Sequence, residues 1–180
     1  MFGNRRDAAR LTHTALFLSL IIAGSWISVP FIPVPLTLQT LFVLLAGCVM
    51  KRDAFIPAGL YILLGALTLP VFHNGSAGIG VLLGPTGGYI IGFVFAALIC
   101  GIAYEGESTT RRVAGLITAT FVILLCGAFW LSVSTGIELG KALVIGVLPF
   151  IPGDLLKAAA AHVIATYILS PTRSRGGVQR

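Results

Sequence analysis

Residues 113–134 read VAGLITATFVILLCGAFWLSVS, 22 positions without one charged side chain. At about 1.5 Å per residue, a helix of that length covers the roughly 30 Å hydrocarbon core of a bilayer. The segment is apolar on every face, so it does not alternate as a strand of a membrane barrel would. Outward from it the same texture repeats. Apolar stretches occupy residues 11–29, 38–50, 54–69, 89–104 and 142–169, the last interrupted by Pro149 and by Pro152-Gly153. Several are shorter than the roughly 20 residues that a perpendicular span needs, so either their bounds are off by a few residues or the bundle is thinned at its centre. The reading is an all-α integral membrane protein: a compact bundle of six transmembrane helices, one domain over residues 1–180, with a polar tail at 171–180.

Composition agrees. Hydrophobic residues make up 57% of the chain and charged residues only 10%, against about 25% charged in a soluble domain. The mean hydropathy is +0.99. The net charge of +6 does not indicate nucleic acid, because the basic residues flank apolar spans, where anionic lipid and the positive-inside bias account for them. With the N-terminus inside, the inner loops hold Arg5, Arg6 and Arg10, then Lys51 and Arg52, then Arg111 and Arg112, then Arg173, Arg175 and Arg180. The outer loops hold only Lys141 before the last span. Both termini are therefore expected in the cytoplasm, and the protein is expected in the cell membrane as a multi-pass chain. The first apolar run lacks an A-x-A-like cleavage site and reads as a retained helix. Cys48, Cys100 and Cys126 fall in three different spans without metal-ligand spacing, and read as small buried hydrophobes.

Asp154 and Lys157 are the only charges inside the apolar body of a span. Three residues apart, they share a helix face. Pro152-Gly153 breaks the chain just before them and puts Asp154 in the first turn of a new helix, where unpaired N–H groups and the positive dipole end gather. Intramembrane charges are costly and default to function; the other reading is a pair that simply holds the bundle together. Thr37, Gln39 and Thr40 place uncharged donors and acceptors at the start of the second span, although capping alone explains Thr37. The loop from His73 to Tyr89 is rich in glycine and carries Asn74 and Thr86. It reads as a ligand-approaching loop or as a connection that needs tight turns. It is not a P-loop, since no Gly-Lys-Ser/Thr follows, and no nucleotide fingerprint occurs elsewhere. Tyr61, Phe72 and Tyr89 join Trp26 and Trp130 as aromatics that either line a pocket or anchor span ends. Ala15, Ser19 and Ala23 form a small-residue stripe that lets another helix approach closely, from this chain or another.

Taken together, PVPLTLQTLFVLLAG at 33–47, LPVFHNGSAGIGVLLGPTGGYIIGF at 69–93 and PFIPGDLLKAAAA at 149–161 resemble the BioY family. Those proteins are the substrate-binding subunits, or S components, of energy-coupling-factor (ECF) biotin transporters. The resemblance spans nearly the whole chain, with its segments in order. It implies six helices around an outward-opening biotin pocket, and as partners a transmembrane T component and two ABC-type ATPase subunits, although some members are thought to act without that module. It also implies a non-enzymatic role without a cofactor, biotin being the transported ligand. Carried over residue by residue, it implies substrate contacts at Thr37, Gln39, Asn74, Gly84, Thr86, Gly87, Tyr89, Asp154 and Lys157. No catalytic or metal-ligating residue is expected. The docking face for the T component is expected at Ala15, Ser19 and Ala23. Competing readings are an S component for a different vitamin, a structural membrane-assembly subunit and an intramembrane enzyme. The last would need a nucleophile with a base or a metal set, and the sequence presents none.

Overall fold

Pro30, Pro33 and Pro35 crowd a six-residue segment that no helix can continue, and the chain turns there. In the computed structural model of the protein, which describes residues 5–170, helix α1 spans Arg5–Trp26. A two-residue antiparallel pair, β1 (Ser28–Val29) and β2 (Leu36–Thr37), then closes the proline segment into a hairpin, with Ser28 opposite Thr37. The helix ends earlier than the 11–29 stretch suggests because Val29 belongs to this hairpin. The polar tail expected at 171–180 lies outside the described residues.

Helices α2 (Gln39–Met50) and α3 (Phe55–Ala66) follow, joined by a 3-10 turn at Lys51–Ala54. Each has 12 residues, so each rises about 18 Å, well short of a hydrocarbon core of roughly 30 Å. Both stretches are therefore short helices in the structure, with loops beyond their ends. Among them is a helix that the sequence reading did not separate from its loop, α4 (Ile79–Leu83). The long helices are α5 (Gly87–Tyr104) and α6 (Thr109–Thr135). Ser108 at the N-cap of α6 accepts a hydrogen bond from the Arg111 amide, and Gly136 at φ 71° ends the helix in the left-handed conformation that glycine tolerates. The last segment is broken as its prolines require: α7 (Leu139–Gly146) and α8 (Ile151–Leu169) meet at a bend of 53°. Helices α1, α5 and α6 are each long and apolar enough to cross a membrane, and α7 with α8 makes one more such segment.

Helix α2 lies at the centre, packed against α1, α5 and α8, with Val43, Leu44, Ala46 and Cys48 fully buried. Phe95, Phe121, Leu125 and Phe129 face outward, as side chains bathed in lipid do. Cys48 and Cys100 approach to 3.7 Å between sulfurs at the α2–α5 contact, an adjacency that their separation in sequence hides. At one end of the bundle, Arg10 pairs with Asp53 and Arg52 with Glu105, both at 2.8 Å. These exposed pairs tie the start of α1, the α2–α3 junction and the α5–α6 junction together. The Lys/Arg-rich loops thus share one end of the molecule.

On α1 the buried face is Thr14, Phe17, Ile21 and Ser25. Ala15, Ser19 and Ala23 lie on the exposed side, and the Ser19 hydroxyl is satisfied within its own helix by Ala15 O at 2.8 Å. The small-residue stripe is therefore left outward, not consumed by packing inside the chain.

Candidate ligand-binding site

Because α2 begins only at Gln39 and α8 only at Ile151, the first turns of both helices, the hairpin and the start of α5 surround a shared space. It is a cleft open to solvent, with about 490 Å³ of empty volume when that open part is counted. Thr37, Gln39, Thr40, His73, Thr86, Asp154 and Lys157 give it polar wall, and Tyr89, Phe93 and Phe150 give it aromatic wall.

The Asp154–Lys157 pair dominates its chemistry. Pro152 in the first turn of α8 is tolerated because the early N–H groups have no helical partner. Asp154 is 3% exposed, and its carboxylate accepts a 2.7 Å bond from the Lys157 ammonium. Burying two charges costs several kcal/mol per ion, which a single contact does not fully offset. Lys157 has no further protein acceptor among the described residues, so its other N–H donors remain for whatever fills the cavity. A wall that combines one carboxylate with a partly unengaged ammonium suits a ligand that offers both donors and an acceptor.

The α2 side is a relay of neutral groups. The Thr37 hydroxyl accepts from the Gln39 amide at 3.4 Å and donates to the Gln39 side-chain oxygen at 3.1 Å. The Gln39 NH2 donates to the hydroxyl of Tyr61, which is fully buried. Thr37 therefore both braces the start of α2 and fixes which way the Gln39 amide points. Opposite, Tyr89 donates its hydroxyl to Gly146 O at 2.7 Å, satisfying one of the carbonyls left over at the end of α7. Its ring lies 6.0 Å from that of Phe150.

Of the residues expected at the site, the structure gathers Thr37, Gln39, Thr86, Tyr89, Asp154 and Lys157 around the cavity. Asn74, Gly84 and Gly87 are not among its lining residues. Asn74 is exposed at φ 54°, and its side-chain oxygen accepts from the Ser28 hydroxyl at 2.6 Å. It clamps the α3–α4 loop to the hairpin instead. Gly84 uses its carbonyl to accept from the Trp130 indole at 3.1 Å. A Cβ on Gly87 would lie 1.7 Å from Leu82 O, so this glycine lets α5 start hard against α4.

Phe93, Ile123, Leu124 and Phe150 also line the cavity, and no local signal marked them, since pocket-facing and lipid-facing positions are equally apolar in sequence. His73, in the connection between α3 and α4, brings an imidazole whose pKa burial pushes below its ordinary value. The folded state thus resists protonation of His73. Stability should be at its full value above the ordinary histidine pKa of about 6.5 and should decline as pH falls through the lowered one. Thermal melts in detergent between pH 8 and 5 check this. The wild type should lose stability on the acid side, and His73→Gln should lose less.

Comparison with known proteins agrees with this geometry. The BioY family profile matches residues 3–174. A probable biotin transporter BioY of Pyrococcus horikoshii is 45% identical over 159 residues, covering 88% of this chain and 94% of that protein. The biotin transporter BioY of Thermotoga maritima is 39% identical over 158 residues, covering 87% and 93%. A crystal structure of the S-component for biotin from an ECF-type ABC transporter superposes with a TM-score of 0.83 at 29% identity, covering 93% of this chain and 94% of that one. A match over nearly the full length in sequence and in fold leaves one assignment: the chain belongs to the BioY family.

Proposed function

We propose that this chain captures biotin at the outer face of the cell membrane, as the substrate-specificity subunit of an ECF-type transporter, with both termini in the cytoplasm. The observation that carries this reading is the buried Asp154–Lys157 pair set in the wall of a cavity that also holds aromatic rings. Biotin presents a ureido ring with two N–H donors and one carbonyl, an apolar thiophane ring and a carboxylate tail. A carboxylate acceptor, an ammonium donor and an aromatic wall answer those features in kind. Tyr89, Phe93 and Phe150 take the apolar rings, while Asp154 and Lys157 engage the polar groups by charge-assisted bonds, stronger than neutral ones. Thr37, Gln39 and Thr86 complete the polar rim.

Transport against a gradient needs energy, and the sequence contains no nucleotide-binding motif. The chain therefore works with a T component and two ATPase subunits, and the outward stripe of Ala15, Ser19 and Ala23 is the docking face for the T component. The test is uptake of labelled biotin by cells that cannot synthesise it, alongside binding to purified protein. Ser19→Trp should leave biotin binding within about twofold of wild type and lower uptake about tenfold or more, since a bulky ring prevents close helix approach. Parallel loss of binding and uptake would place the stripe inside the fold and end this assignment. Orientation is checked separately: an impermeant reagent applied to intact cells should leave a cysteine introduced into the basic end unlabelled.

A further inference from the structure

Away from the biotin cavity, one seam of the bundle remains open. Antiparallel helices α6 and α8 leave a groove lined by Val113, Leu116, Ile117, Leu155, Ala158 and Val163, among others, with about 620 Å³ of empty space. One turn further along the same face of α8, a second hollow of about 430 Å³ is lined by Tyr104, Arg112, Thr166, Leu169 and Ser170. Leu155, Ala159 and His162 of the first hollow and Thr166 of the second fall at i, i+4, i+7 and i+11 on one stripe of α8, and Leu116 of the first and Arg112 of the second are four apart on one stripe of α6, so the two hollows are successive parts of one channel. The Tyr104 hydroxyl and His162 Nδ1 are bonded at 2.6 Å where they meet.

The chemistry changes along the channel. Its inner part is apolar. Its outer part holds a guanidinium held in place from two sides: Arg112 Nε donates to Gly106 O at 2.9 Å, and its carbon lies 5.5 Å from the centre of the Tyr104 ring. Among the described residues its two terminal nitrogens have no protein acceptor. The Thr166 and Ser170 hydroxyls donate back to carbonyls within α8, so the guanidinium is the strongest free donor in the hollow. This is the end of the bundle that also carries Arg10, Lys51 and Arg52. The apolar part, from Leu155 to Val163, rises about 12 Å at 1.5 Å per residue, close to the roughly 15 Å that is half of a bilayer's hydrocarbon core.

We propose that this channel is a site for one anionic phospholipid, with its phosphate on Arg112 and an acyl chain lying between α6 and α8. Charge complementarity with a planar guanidinium selects phosphate, and a groove one leaflet deep beneath it selects a lipid. The site lies on the outer surface of the bundle and is separate from the Asp154–Lys157 cavity, so biotin binding and lipid binding can fail independently.

Native mass spectrometry of the full chain in mild detergent tests it, with phosphatidylglycerol and phosphatidylcholine of identical acyl chains as probes. The wild type should retain phosphatidylglycerol measurably more than phosphatidylcholine, whose phosphate presents the same oxygens to Arg112 but is offset by its own choline cation. Arg112→Gln should abolish the preference, and Arg112→Lys should keep part of it. Ala159→Leu, a substitution at an exposed position that fills the groove, should reduce retention of both lipids. All variants should bind biotin as the wild type does. Equal retention of the two lipids by the wild type, or an unchanged preference in Arg112→Gln, would overturn the proposal. So would a lipid-free dimer that Ala159→Leu dissolves, since the groove would then belong to a second copy of the chain.

Discussion

Asp154→Asn should weaken biotin binding roughly 10- to 150-fold while leaving the protein folded. The carboxylate is 3% exposed, and its partner Lys157 is 14% exposed in its side chain. Water therefore does little to replace a lost contact. Removing the charge keeps the shape but turns a charge-assisted bond into a neutral one, and bonds to charged groups are worth about 1.5–3 kcal/mol. At about 1.4 kcal/mol per tenfold, that is the stated range. Asp154→Ala should be worse, because Lys157 is then left buried beside a void without its partner. A purely structural pair behaves differently. Its single variants fold poorly, and Asp154→Asn combined with Lys157→Met restores both folding and binding. Isothermal titration on monodisperse samples of the three variants separates the outcomes. Full affinity in a well-folded Asp154→Asn protein would move the site away from α8.

Tyr89→Ala should be among the most destabilising single changes in the chain, by about 3–5 kcal/mol, the usual cost of deleting a buried aromatic ring. The residue is 7% exposed, and its ring fills a socket made for it. A Cβ on Gly127 would stand 2.2 Å from the ring, and one on Gly146 would stand 2.6 Å from the hydroxyl. Tyr89→Phe keeps the ring and leaves Gly146 O without its donor, so it should cost about 1–3 kcal/mol. Gly127→Ala should push the ring toward the cavity and weaken biotin binding with a smaller loss of stability, as overpacking costs about 1–3 kcal/mol. Reversible unfolding in mixed detergent micelles gives the ordering. The socket argument fails if Tyr89→Ala comes within about 0.5 kcal/mol of wild type, the ordinary range for surface changes.

The sequence discloses the membrane character and the broken last segment for simple reasons. Unbroken apolar runs can only face lipid or each other, and Pro149 with Pro152 cannot pass through a regular helix. Asp154 and Lys157 stand out for the same reason, as charges within an otherwise apolar span. The rest was hidden by chemistry that looks alike in one dimension. Phe93, Ile123, Leu124 and Phe150 line the cavity, yet they match the lipid-facing Phe95 and Leu125 in type, because the solvent outside this bundle is as apolar as its interior. Asn74 drew attention as an amide in a glycine-rich loop, but its left-handed backbone and its bond to Ser28 make it a brace between loops, while the adjacent His73 reaches the cavity. Gly84 and Gly87 read either as ligand approach or as tight-turn positions, and in the structure they serve the contacts with Trp130 and α4. The hairpin of β1 and β2 escaped notice because two residues per strand leave no alternation to detect.

The central claim is that the cavity between α2, α5 and α8 binds biotin. Isothermal titration of the purified chain with biotin, and with desthiobiotin, which lacks the sulfur, tests it most directly. The account predicts one biotin per chain, a measurably weaker but saturable heat with desthiobiotin, and a large loss of both in Asp154→Asn. A folded, monodisperse protein that gives no heat with biotin, while another vitamin saturates it at one per chain, would contradict the claim.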